Sequence, residues 1–145
     1  MIIKQISIFV ENKAGRLAEI TEAIAAAGID IRALSIADTT DFGILRLIVD
    51  KPEAAVLALK EAGLTVSITN VIAVGIDDTP GAFSVPMRVL ADAGIDVEYM
   101  YAFISRDTQK AYVILRVADN DIAAKALSDK GIALLDEESF RGMMK

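Results

Sequence analysis

The sequence predicts an α+β fold built twice over, and three observations predict it. The segment KAGRLAEITEAIAAAGIDI at 13–31 returns as TPGAFSVPMRVLADAGIDV at 79–97, 66 positions later. Within each copy the apolar period switches between two, the mark of a half-buried strand, and 3.6, the mark of an amphipathic helix. Glycine and proline punctuate both copies at corresponding places. A spacing near 70 residues exceeds the roughly 20–50 of a solenoid unit. It fits two small domains, 1–69 and 70–145, joined with almost no linker.

In the first copy, residues 3–10 alternate, with Ile6, Ile8 and Val10 on one face and Gln5, Ser7 and Phe9 on the other. Leu17, Ile20, Ile24 and Ala27 then form a helical stripe, and Gly28 supplies the left-handed stop that follows many helices. Residues 30–37 read as a second strand, Asp38–Gly43 as a hairpin turn and 44–49 as a third strand. Pro52 opens a second helix where its missing N–H costs little. Ala55, Val56 and Leu59 are its buried positions, Gly63 ends it, and 64–69 make the fourth strand.

The second copy places strands near 71–77, 96–104, 111–118 and 132–136, with helices near 81–93 and 121–130. Ile44-Leu45-Arg46-Leu47 is answered by Ile114-Leu115-Arg116-Val117, and Ala62-Gly63-Leu64 by Lys130-Gly131-Ile132. Pro86 stands where the first copy has Ile20, so this helix is expected to start late or kink. Strand-helix-strand-strand-helix-strand in each half predicts a ferredoxin-like, four-stranded antiparallel sheet with both helices on one face.

Alternation sends Leu45, Leu47 and Val49 toward the helices and leaves Ile44, Arg46 and Ile48 on the opposite face. In the second half that outer set holds Tyr99, Tyr101, Phe103, Tyr112, Ile114 and Arg116, where the first strand of the hairpin in the first half has Ala33, Ser35 and Ala37. So much apolar area predicts that the sheets pack together or against a second chain, in preference to a ligand-stacking platform.

Composition narrows the function. Hydrophobic residues at 54% and charged residues at 25% describe a globular chain. A net charge of −6 argues against nucleic acid, whose phosphates demand a basic face. With no Cys and no His, the chain lacks thiolate chemistry, the commonest general base and the commonest transition-metal ligand. No Walker-type glycine loop or nucleophile elbow is present. Asp38 with Asp41, and Asp77 with Asp78, fall short of the ligand density of a calcium loop, and Glu137-Glu138 reads as a solvated end. No apolar run approaches a membrane span, and Ile2-Ile3-Lys4-Gln5 opens as a strand and not as a leader. The expected setting is the cytoplasm, with neither cofactor nor metal.

The loop between first strand and first helix is where binding chemistry is expected. It reads Glu11-Asn12-Lys13-Ala14-Gly15-Arg16-Leu17 in the first half and Asp77-Asp78-Thr79-Pro80-Gly81-Ala82-Phe83 in the second. Glycine admits a close backbone approach, and a helix start aims free N–H groups at an anion. Asp30 and Asp96 each follow a helix-ending glycine and are expected at the same edge, where a carboxylate could take an ammonium group. Asn and Asp also simply cap helices and turns, and that alternative stands beside the first.

ENKAGRL and DDTPGAF, each followed by a helix and then AGIDI or AGIDV, resemble the [DN]-x-P-G-x-L signature of ACT domains. VIAVGIDDTPGAF and GIDVEYMYAF are similar in particular to stand-alone tandem ACT proteins. The resemblance covers nearly the whole chain and implies a small-molecule-sensing, non-enzymatic regulator that binds an amino acid at a domain or subunit interface. It implies Asn12, Gly15 and Asp30 as ligand contacts in the first half, flanked by Lys13, Ala14, Arg16 and Leu17, with Arg16 as a carboxylate partner. Asp78, Gly81 and Asp96 match in the second. Ala14 replaces the motif proline, Pro80 keeps it, and Val10 stands where some members carry histidine. With Asp78 and Asp96 in both positions, the first half reads as the better site. The partners so implied are a second copy of the chain and a metabolic enzyme; the alternative is a scaffold that has kept the fold and lost the ligand.

Overall fold

The helical stripe of the first half becomes α1 (Arg16–Ala26), which seals Ile20 and Ile24 against alternate residues of β1 (Ile3–Glu11) and β3 (Phe42–Val49). The computed structural model describes residues 2–38, 41–103 and 110–143. Thr39 and Thr40 of the expected hairpin, and Ile104 at the end of an expected strand, lie outside them. The chain divides into two compact units, one of Lys4–Thr69 and one of Met1–Ile3 with Asn70–Lys145.

In the Lys4–Thr69 unit the strand order is β2-β3-β1-β4, with β2 at Ile31–Asp38 and β4 at Thr65–Asp77. The β1–β3 and β2–β3 ladders are antiparallel, pairing Ile8 with Leu45 and Leu34 with Leu47. Ser7 and Thr69 share a hydroxyl hydrogen bond at 3.1 Å between β1 and β4. The second helix, α2 (Pro52–Glu61), carries Pro52 at its first turn, as expected, and buries Ala55 and Leu59. One core results, with Ile6, Ile8, Val10, Leu45, Leu47 and Val49 supplied by the sheet.

The other unit repeats the plan with order β7-β4-β6-β5, where β5 is Val97–Phe103, β6 is Lys110–Val117 and β7 is Ala133–Leu135. Its helices α3 (Ser84–Asp92) and α4 (Asn120–Asp129) close a core on Leu90, Ala123 and Leu127. Helix α4 is capped by Asp119, whose carboxylate accepts from the N–H groups of Asp121 and Ile122. Both units are therefore ferredoxin-like, with helices on one face of an antiparallel sheet.

Pro86 does delay its helix. Measured against α1, α3 begins two residues late, which leaves Pro86 in the first turn, where an N–H has no intrahelical partner. Residues 64–69 and 71–77, expected as two strands, form one continuous β4, because Asn70 keeps extended geometry. The match of Ile44 with Ile114 is off by two. Phe9 faces Ile44 across its ladder, and Gly75, the repeat mate of Phe9, faces Tyr112. Ile44 therefore corresponds to Tyr112 and Phe42 to Lys110. Alternating apolar strands look alike after a two-residue slip, so ILRL found a false mate.

The outer faces are unevenly covered. Ala33, Ile48, Tyr112, Ile114 and Phe103 are buried, as is Gln5, whose amide donates to Ser7 Oγ at 3.1 Å. Phe9 and Phe42 stack at 5.0 Å and stay half exposed beside Ile44. Part of the cover in the second unit is a helix that sequence patterning missed. Glu137 and Glu138, read as a solvated end, open α5 (Glu137–Met143), with Glu138 exposed as expected. Phe140 of α5 packs on Phe103 at 4.9 Å, and Phe103 stacks on Tyr112 at 5.5 Å.

The carboxylate of Asp136 starts α5 by accepting from Ser139 N–H at 2.6 Å. That backbone hydrogen bond, with a second from the Ser139 side chain, holds the Asp136 carboxyl below its ordinary range. A depressed folded value contributes stability that is present above the unfolded pKa and lost as pH falls through the folded one. Protection of the α5 amides relative to their intrinsic exchange rates should therefore fall below about pH 4, and Asp136→Asn should lower it at neutral pH. Equal protection of α5 in the variant at pH 7 would contradict the assignment.

Candidate functional site

Gly15 shapes the first loop. It sits at the N-cap of α1 with φ 88°, a left-handed conformation that side chains disfavour, and no side chain caps the helix. The carbonyl of Lys13 accepts from Arg16 N–H at 3.2 Å and that of Gly15 from Glu19 N–H at 3.0 Å. Asn12 N–H donates to Asp41 O at 2.8 Å, which ties the loop to the start of β3. The cleft here is lined by Val10, Glu11, Asn12, Lys13, Arg16, Leu17, Ile36 and Gly43 and encloses about 60 Å³. Sites for small molecules typically hold about 300–1,000 Å³. The cleft formed by the Lys4–Thr69 unit is well below that range.

Arg16, the expected carboxylate partner, already meets two carboxylates, Glu19 at 3.1 Å and Glu11 at 3.8 Å. Such exposed pairs contribute roughly 0–1 kcal/mol, so an incoming carboxylate can compete for the guanidinium. Leu17, expected in the core, is 46% exposed, and Leu34 and Ile36 of the edge strand β2 are 59% and 46% exposed. The flank of the loop is apolar and bare.

Asp30 is not at this edge. The sequence expectation that it joins Asn12 within one unit is wrong, because α1 crosses over and carries the chain back. Eleven helical residues span about 16 Å. Asp30 N–H donates to Asp50 Oδ1 at 2.9 Å, its carbonyl accepts from Asp50 N–H, and its carboxylate pairs with Arg32 at 3.1 Å. Asp50 follows β3 and Asp41 precedes it, so Asn12 and Asp30 mark opposite ends of that strand.

The second unit repeats the separation. Asp96 lies in a cleft with Glu98 and Asp119, at the far end of α3 from the loop. Gly81 matches Gly15 with φ 84°, and its carbonyl accepts from Ser84 Oγ at 2.7 Å. Asp78 is exposed and stands outside the cleft beside that loop. This cleft encloses about 490 Å³ and is lined in part by Asp77, Lys110 and Lys130. Neither lysine was singled out from sequence. The only signal was order: in this topology the second helix of each half ends on the side where the first loop lies.

Among the described residues no group of three or more acidic side chains is placed to hold a metal ion, and no helix is long and apolar enough to cross a membrane.

A family model described as an ACT domain pair matches residues 1–144. Protein BT0572 from Bacteroides thetaiotaomicron has a similar crystal structure, with TM-score 0.91 and 40% identity, covering 97% of this chain and 96% of that one. The regulatory subunit of aspartate kinase from Thermus thermophilus, in ligand-free form, matches with TM-score 0.63 and 19% identity over 87% and 91% of the two chains. That of Thermus flavus matches with TM-score 0.61 and 18% identity over 87% and 90%. At those identities the likeness to the two subunits is one of fold alone. No curated protein matches the chain.

Proposed function

The chain belongs to the ACT domain pair family, and we propose that it is a non-enzymatic cytoplasmic regulator that binds an amino acid where two copies meet at the Asn12–Leu17 loop. The observation that carries this reading is the unfinished site: a wall of about 60 Å³ beside a bare apolar edge. Antiparallel pairing of β2 with β2 of a second copy would bury Leu34 and Ile36. It would also bring the partner copy's Asp30 end toward this Asn12, because antiparallel strands place opposite ends together. A homodimer thus assembles what one copy separates, with α1 amides and Arg16 for the carboxylate and Asp30 of the other copy for the ammonium group. Ligand that binds only the paired form shifts association, and that shift is the signal to a partner enzyme. The 1–69 and 70–145 halves act as the two ACT domains of this scheme, and Asp78, Gly81 and Asp96 are the corresponding positions in the second.

Thermal shift and calorimetry against the twenty amino acids test the proposal. A selective ligand at 100 times its Kd should add about 2.7 kcal/mol, and Asn12→Ala should erase that gain. Leu34→Glu should dissociate the dimer in sedimentation and abolish binding with it. The second reading, a ligand-free interaction module, is favoured by Arg16 being occupied by Glu11 and Glu19. A folded dimer that responds to none of the twenty selects it.

A further inference from the structure

The cleft of about 490 Å³ beside the second loop carries two lysines at positions where the first unit has none. Lys110 opens β6 and Lys130 caps the C-terminal end of α4, and both line it. Their counterparts by ladder and helix position are Phe42 and Ala62, so the cationic pair belongs to this unit alone. Lys4, Arg16, Arg32, Arg88, Arg116 and Lys125 each meet a carboxylate. Among the described residues no ion pair engages Lys110 or Lys130, although both share the cleft with Asp77.

Much of the backbone here is already committed. Pro80 and Pro86 lack an N–H, and those of Ala82, Ser84 and Val85 are given to the carbonyls of Thr79, Gly81 and Ala82. An anion in this cleft therefore relies chiefly on side chains. Two ammonium groups with three donors each offer places for two carboxylates, and Asp77 offers an acceptor for one ammonium group.

We propose that the cleft between the 77–83 loop and the end of α4 binds a small dicarboxylic amino acid, with Lys110 and Lys130 on its carboxylates and Asp77 on its ammonium group. This site shares no residue with the Asn12 loop. It extends the sensor reading to a second ligand class and does not require the first site to be occupied.

Calorimetry of the full chain with L-glutamate and L-aspartate, beside succinate and L-alanine, tests it. One of the acidic amino acids should bind, weaken with added salt, and lose about 10-fold or more in affinity with Lys110→Met or Lys130→Met. Asn12→Ala should leave this binding unchanged, so failure here and failure at the first loop are separately visible. Both lysines are at the surface of the cleft, and unfolding midpoints of the variants establish that they fold. Failure of both acidic amino acids to bind would overturn the proposal, as would binding that survives both lysine changes. Succinate binding as tightly as the better amino acid would overturn the part given to Asp77.

Discussion

Phe140→Ala should cost about 3–5 kcal/mol, the usual range for emptying a buried phenylalanine site. Phe140 is 3% exposed, and its ring is the contact through which α5 meets Phe103. A seven-residue helix is far below the length at which helices persist alone, so docking is what keeps α5 formed. Without the phenyl ring the helix should detach and uncover Phe103 and Tyr112, which are 9% and 5% exposed. Urea unfolding should show the loss, and amide exchange should find residues 137–143 unprotected in the variant. A loss below about 1 kcal/mol, with α5 still protected, would mean that the outer face of this sheet holds without it.

Ile20→Ala should be comparably damaging, at about 2–5 kcal/mol. Ile20 is fully buried between α1 and the sheet, in a core that the small Lys4–Thr69 unit cannot easily collapse to refill. Leu17→Ala, one turn earlier on the stripe, is the control: at 46% exposure it should cost under about 1 kcal/mol in the dissociated chain. In the proposed dimer the same change should weaken association, because Leu17 lies on the bare flank with Leu34 and Ile36. Equal costs for the two variants in monomer would show that the helix is seated differently from the arrangement described.

Most of the fold was legible because its determinants are local. Gly28 and Gly63 stop their helices at φ 71° and 83°, Pro52 starts one, and Ile6, Ile8 and Val10 alternate into the core as read. The misses share a different cause. Leu17 fits the stripe but meets no cover, because β2 is an edge. The ILRL match slipped by two because strand periodicity repeats itself after two residues. Helix α5 escaped because one aromatic residue in seven gives no period to detect.

The sequence by itself determined a duplicated α+β chain, the faces its helices bury and the loops where a ligand would be sought. Those follow from periods of 2 and 3.6 and from backbone preferences that act within a few residues. Only the tertiary structure decided which ends of the elements meet. It set Asn12 and Asp30 apart at the two ends of α1, and it placed Lys110 and Lys130 in one cleft with Asp77. Crossover direction and strand register bring together residues distant along the chain, and no local pattern records that meeting.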